Sequence, residues 1–131
     1  MNTPTIEIVA AVLRDADGRV LTVRKQGAQR FMLPGGKREP GEADLVTLGR
    51  ELREELGLVL VETSARRLGR FEAPAANEPG RQVIGVIYEA QAAGAPQIAA
   101  EIAEMRWLAP QPPYPVPLAP LLEHEVLPRL S

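Results

Sequence analysis

Residues 6–13 form a run of β-branched and small apolar positions, and residues 20–25 form a second, with Asp15-Ala16-Asp17-Gly18 between them. The two runs predict strands and the tetrapeptide predicts a turn, so together they read as a hairpin leading into Met32-Leu33-Pro34. The apolar period then lengthens. Leu45, Leu48, Leu52 and Leu56, with Gly49 among them for close packing, make one stripe of a helix over about residues 43–56. Glu51, Glu54 and Glu55 gather on the opposite side, because positions three and four apart are neighbours on a helix. Residues 58–62, 67–72 and 82–90 predict further strands, with a loop over residues 74–81. A proline-rich stretch over residues 110–117 leads to a short helix over about residues 118–129, whose Leu118, Leu121, Leu122 and Val126 pack inward. There is no internal repeat. This order predicts an α/β fold, a mixed β-sheet with a helix on each side.

A chain of 131 residues fits one domain spanning residues 1–131, large enough to bury roughly two thirds of its unfolded surface. It has no cysteine, no apolar run of membrane-spanning length and no signal-peptide pattern at its start, so a cytoplasmic protein without a membrane partner is expected. The net charge of −2, with 13 Arg and only Lys25 and Lys37 scattered along the chain, argues against a general nucleic-acid binder. A monomer or a homodimer is compatible with these features.

The helix is where the chemistry concentrates. Three carboxylates this close repel one another, which raises their pKa values unless a cation offsets the charge. Magnesium takes oxygen ligands and works through a few carboxylates plus substrate phosphate oxygens, so a shallow acidic helix face suits it, and manganese fits too. An isolated Glu-Glu pair beside Arg50 and Arg53 is ordinarily a solvated helix face. Here the surrounding glycines change that reading: Gly35 and Gly36 let the chain turn sharply and approach a metal, while Gly41 and Gly57 punctuate the two helix ends. Asp44, in the first turn, reads as a helix-start residue.

The constrained positions are Gly36, Glu42, Arg50, Glu51, Leu52, Glu54, Glu55, Gly57 and Leu58, in the arrangement G-x5-E-x7-R-E-U-x-E-E-x-G-U with U aliphatic. This resembles the Nudix box at every one of its positions. The resemblance implies an α/β/α sandwich and a small MutT-like hydrolase of nucleoside diphosphate-linked compounds, acting on phosphoanhydride bonds with Mg2+ or Mn2+. It further implies that Glu51, Glu54 and Glu55 bind the metal together with the Gly36 carbonyl, that Arg50 and Glu42 hold the geometry, and that Lys37 lies beside the pyrophosphate. In MutT-like members a glutamate about six residues ahead of a tryptophan contributes to metal binding or activates the water. Glu101 has that spacing from Trp107, and Glu104 is the second choice.

Phosphate oxygens need cationic partners, and Arg24 and Lys25 are near enough in sequence. Alternation along the strand points them to opposite faces, so at most one lines the cleft. The lone histidine, His124, has no companion at metal-ligand spacing and reads as surface. Phe31, Phe71, Tyr88 and Tyr114 could stack on a base but are more often core. MutT proteins that remove 8-oxoguanine nucleotides read the purine edge with a C-terminal asparagine. Here the tail offers Leu121, Leu122, Glu123 and His124, and the only asparagines are Asn2 and Asn77. Pro74, about sixteen residues past the box, matches some ADP-ribose pyrophosphatases of the family. A nucleoside triphosphate is the expected substrate, with ADP-ribose or a nucleotide sugar as the alternative. A nucleotide-sensing domain without turnover is the rival from another class, and the intact glutamates favour the enzyme.

Overall fold

The computed structural model describes residues 5–76 and 78–130. Strand β1 (Thr5–Val12) lies inside a four-stranded sheet of order β3-β1-β5-β4, in which β3 is Gly35–Gly36, β4 is Val59–Pro74 and β5 is Gln82–Ala93. β1 and β5 run parallel, and the other pairs are antiparallel. Helix α1 (Asp44–Leu56) covers one face of this sheet. A C-terminal helix α2 (Leu121–Val126), π-helical and continued by a 3₁₀ turn over Leu127–Arg129, covers the other. The second half of β1 is apolar at every position because both of its faces are covered. Val9 and Ala11 pack with Leu48, Leu52 and Leu56 of α1, while Ala10 and Val12 pack with Leu121, Leu122 and Val126. The expected α/β/α sandwich is therefore the observed architecture.

Strand β2 (Val20–Lys25) does not complete a hairpin with β1. It pairs instead with β6 (Ile102–Leu108) in a separate two-stranded sheet. The Asp15 turn does form: Asp15 Oδ1 accepts from the amides of Asp17 at 3.0 Å and Arg19 at 2.9 Å. Past it, the two backbones are joined, among the described residues, by the Arg14–Val20 bridge and the bond from Leu21 N to Leu13 O. The reason is occupancy, since β3 holds one edge of β1 and β5 holds the other.

The two strands read over residues 58–62 and 67–72 are one long strand, β4, interrupted by register shifts between Val61 and Arg66 and between Arg67 and Gly69. Bulges of this kind break the two-residue period without ending the strand. Nor does Gly49 serve close packing, because a Cβ there would sit at an ordinary 3.9 Å from Leu60.

Helix α1 starts after Ala43 and ends at Gly57, which takes the left-handed conformation (φ +67°) and donates its N–H to Arg53 O. Leu48, Leu52 and Leu56 are completely buried. Burial of each contributes about 2 kcal/mol. That apolar stripe fixes the helix against the sheet and carries the cost of the carboxylates on its other positions.

Candidate active site

A cleft of about 740 Å³ is lined by β1, the end of β2, the glycine turn ahead of α1, the start of β5 and α2. At one end it is lined by Lys25, Lys37, Arg50, Glu51 and Glu101, with Gly36 between them, and its wall is aliphatic, including Ile8, Val83, Ile87, Leu121 and Leu122. A charged end beside an apolar wall can take a phosphorylated group joined to a flat or apolar one.

Gly35 and Gly36 bring two parts of the chain into close approach. A Cβ at Gly35 would lie 2.1 Å from Val9 O, so that position admits no side chain, and one at Gly36 would lie 2.5 Å from Glu51 Oε1, so a side chain there would displace the Glu51 carboxylate. The Gly35 amide donates to Glu55 Oε1 at 3.1 Å, whereas Glu55 Oε2 is buried with no hydrogen-bond partner. Burial pushes the Glu55 carboxyl up to about 8, repulsion from Glu51 adds to the rise, and the Gly35 N–H opposes it. Burial likewise raises Glu51, against the pull of Arg50. The first cause of both shifts is thus desolvation, rather than the mutual repulsion expected from spacing alone.

The three glutamates also do not share one shallow face. Glu54 is 54% exposed at its side chain, Glu51 is 15% exposed, and Glu55 is 2% exposed as a residue. Among the described residues no three acidic or histidine side chains already converge as a metal cage. The carboxylates are held by partners from the chain itself: Glu51 Oε1 by Arg50 Nη1 at 2.9 Å and Glu55 Oε1 by Gly35 N. The donor set nonetheless fits a hard divalent cation. It is all oxygen, it includes one orphaned buried carboxylate atom, and Gly36 lies directly against Glu51.

Arg50 organises the entrance. Its Nε donates to Glu42 Oε2 at 2.9 Å and its Nη2 to Glu42 Oε1 at 2.8 Å, a two-pronged pairing, and Nη2 also reaches the Lys37 carbonyl at 3.0 Å. Glu42 accepts further from Glu39 N and Thr47 Oγ1. Arg50 and these donors lower the Glu42 pKa to about 2.

Of the two basic residues ending β2, Lys25 faces the cleft, its Nζ 3.2 Å from Glu101 Oε1. Arg24 turns away to the Ala28 carbonyl at 3.0 Å and to Glu104 at 3.4 Å. Glu101 and Glu104 are separated by the same divergence. Glu101 sits in the turn before β6 and lines the cleft, while Glu104 lies within the strand and pairs with Arg24. Strand β6 is not expected from its composition, since alanine and glutamate carry little β-propensity; pairing with β2 makes it one. Asp44 does more than open the helix: its carboxylate accepts from Arg38 Nε at 2.7 Å and from Tyr88 Oη at 2.8 Å. Arg38, which lines the cleft, also pairs with Glu7 of β1, a partner 31 positions away that no local spacing reveals. Phe31 and Phe71 are core, Phe71 lying 4.9 Å beneath the Arg129 guanidinium, and Tyr114 donates to Pro110 O; none of the four aromatic candidates lines the cleft. Pro74 does line it. His124 is exposed on α2. Asn2 and Asn77 lie outside the described residues.

Comparison with known proteins gives a family and a fold. The NUDIX domain family model matches residues 4–129. A CTP pyrophosphohydrolase of Escherichia coli is 32% identical over 124 residues, covering 88% of this chain and 84% of that protein. An 8-oxo-dGTP diphosphatase of Haemophilus influenzae is 36% identical over 78 residues, and the match spans 56% of this chain but only 57% of the relative. The crystal structure of a MutT NUDIX hydrolase from Burkholderia pseudomallei superposes with a TM-score of 0.78 at 24% identity, covering 98% of this chain and 99% of the other, a likeness of fold.

Proposed function

The chain belongs to the NUDIX domain family, and from that premise we propose that it hydrolyses a nucleoside triphosphate to the monophosphate and pyrophosphate with the help of a divalent cation, Mg2+ in the cell. The observation that carries this reading is the buried, unpartnered Oε2 of Glu55: Glu55 does not itself line the cleft, but its Oε1 accepts from Gly35 N, and the adjoining Gly36 and Glu51 do line it. A chain folded only for stability has no use for such an atom.

Glu51, Glu54 and Glu55, with the Gly36 carbonyl, would hold the cation. When bound it neutralises phosphate oxygens and acidifies water. Lys25 and Lys37 supply the remaining positive charge to the phosphate chain. Glu101, exposed and next to Lys25, orients a water and takes its proton as the water attacks phosphorus. Arg50 and Glu42 do not touch the reacting atoms in this scheme; they fix the turn that carries Lys37 relative to α1. The aliphatic wall receives the nucleoside and excludes solvent. Turnover assays of nucleoside triphosphates, ADP-ribose, NADH, nucleotide sugars and dinucleoside polyphosphates with Mg2+ test the proposal. Hydrolysis of none of them would refute it, and a preference for ADP-ribose would shift weight to the pyrophosphatase reading that Pro74 in the cleft lining favours.

The different surroundings of the two loop glutamates give a kinetic expectation. Glu101→Gln slows kcat by about tenfold or more with KM within a few-fold, as for a group acting mainly in the transition state, whereas Glu104→Gln changes little. A larger effect of Glu104→Gln would assign the proton acceptor to β6.

Base selection follows from the wall. Leu121 and Leu122 are what α2 presents to the cleft, and the one amide side chain among the described lining residues, Gln26, follows Lys25 at a position whose backbone N–H is bonded to Glu101 O. A site without paired donors and acceptors discriminates weakly, because apolar contacts supply only ~1–3 kcal/mol. The kcat/KM for 8-oxo-dGTP is expected within roughly tenfold of that for dGTP. Direct competition of the two nucleotides measures it, and a thousandfold preference for the oxidised base would restore the sanitising role that the Haemophilus relative's name describes.

A further inference from the structure

Ala100 has φ +53° and, among the described residues, is the one non-glycine position in the left-handed region. It is the first central residue of a turn closed by Ile102 N donating to Ala99 O at 3.1 Å, and Glu101 is the second. A positive φ at the first central position defines the mirror-type turns in which Gly, Asn and Asp predominate. Alanine there takes a conformation that L side chains resist. Its side chain is exposed, so packing does not hold it in place. Backbone bonds on both sides do. Gln97 N donates to Leu56 O at 2.9 Å and Ala99 N to Glu55 O at 3.0 Å, which ties the segment to the last turn of α1. Gln26 N donates to Glu101 O at 2.8 Å, which ties it to the end of β2. Between these ties the Glu101 carboxylate reaches the cleft, 3.2 Å from Lys25 Nζ.

We infer that Ala100 is a positioning residue whose left-handed backbone aims Glu101 into the cleft, in register with the carboxylates of α1. Sparsely populated backbone states persist only where the surroundings over-determine them, and the three main-chain bonds around Ala100 do so. The inference rests on the reading of Glu101 as the residue that orients the attacking water.

The test compares Ala100→Gly, Ala100→Asn and Ala100→Val, each alone and combined with Glu101→Gln, on the best-turned-over nucleotide of the panel with Mg2+. Gly and Asn accept a positive φ, whereas a β-branched residue does not, although Asn and Val are of similar size. Ala100→Val is expected to lower kcat about tenfold with KM within a few-fold, while Ala100→Gly and Ala100→Asn stay within about threefold of wild type. In the Glu101→Gln background the valine change should add nothing, because the group it misplaces is already gone. Melting temperatures establish that every variant is folded. Equal kcat for the valine and glycine variants would overturn the inference, as would a loss from valine that persists undiminished in the Glu101→Gln background. A neutral Glu101→Gln would instead overturn the assignment of Glu101 itself, a result readily told apart from either.

Discussion

Glu55→Gln is expected to lower kcat by about two orders of magnitude or more, and Glu54→Gln by a similar factor, because each removes charge from a metal site while keeping shape. At Glu55 the argument is geometric as well. Glutamine can still accept from Gly35 N, but it places N–H donors where the unpartnered Oε2 now lies. A group that repels a cation then occupies the position best suited to attract one. Steady-state rates across a Mg2+ titration check both substitutions, and wild-type turnover undiminished after exhaustive chelation would sink the metal assignment altogether.

In chelator the same substitution acts in the opposite direction on stability. Burial holds the native Glu55 carboxyl at about 8, above its ordinary value of 4.5. Between those pH values the native state retains a proton that the unfolded chain has released, so stability falls as pH rises through the window. Glu55→Gln is free of that loss. The metal-free variant is therefore expected to melt roughly 10 °C above wild type at pH 8, with the gap closing as pH approaches 4.5. Coincident melting curves across this range would mean that the carboxylate is ionised in place beside a cationic partner.

These expectations separate what local sequence encodes from what it does not. The helix follows from spacing along one element, whereas the contact of Arg50 with Glu42 is what the family resemblance implies and its pairing with Glu51, the next residue along the helix, is no consequence of helical spacing. The burial of Glu55 follows from nothing local. It arises because β3 pairs with β1 and brings Gly35 over a helix position that the 3.6-residue period assigns to the polar side. The same competition for the edges of β1 sends β2 to β6 and breaks the expected hairpin. Which of Arg24 and Lys25 faces the cleft is decided at an irregularity between them in the β2–β6 pairing. Alternation could state that they diverge, but only tertiary pairing could choose. The aromatic residues carry a similar lesson, since hydrophobicity places Phe31 and Phe71 inside without saying that the cleft wall is built from aliphatic residues instead.

Arg50→Gln is the second substitution with a large expected effect, near a hundredfold in kcat, although Arg50 touches no reacting atom in the proposed scheme. Its guanidinium spends its donors on both Glu42 oxygens, on Glu51 and on the Lys37 carbonyl, so one fork sets the distance between the glycine turn and the helix. Lysine keeps the charge but cannot reproduce the fork, so Arg50→Lys should recover only a small part of the rate. Stability supplies an independent readout. Arg50 is the first cause of the depressed Glu42 pKa, about 2 against an ordinary 4.5. A depressed native pKa stabilises the fold above the unfolded value, and that contribution is lost as pH falls from about 4.5 toward 2. Removing Arg50 removes the largest part of the contribution and leaves the bonds from Glu39 N and Thr47 Oγ1, so Arg50→Gln should melt below wild type at pH 7, with the gap narrowing toward pH 2. Thermal melts of both proteins across that range decide the matter. A constant offset at every pH would assign the stability loss to packing of the arginine stem, and the pairing with Glu42 would then have to be sought in the kinetics alone.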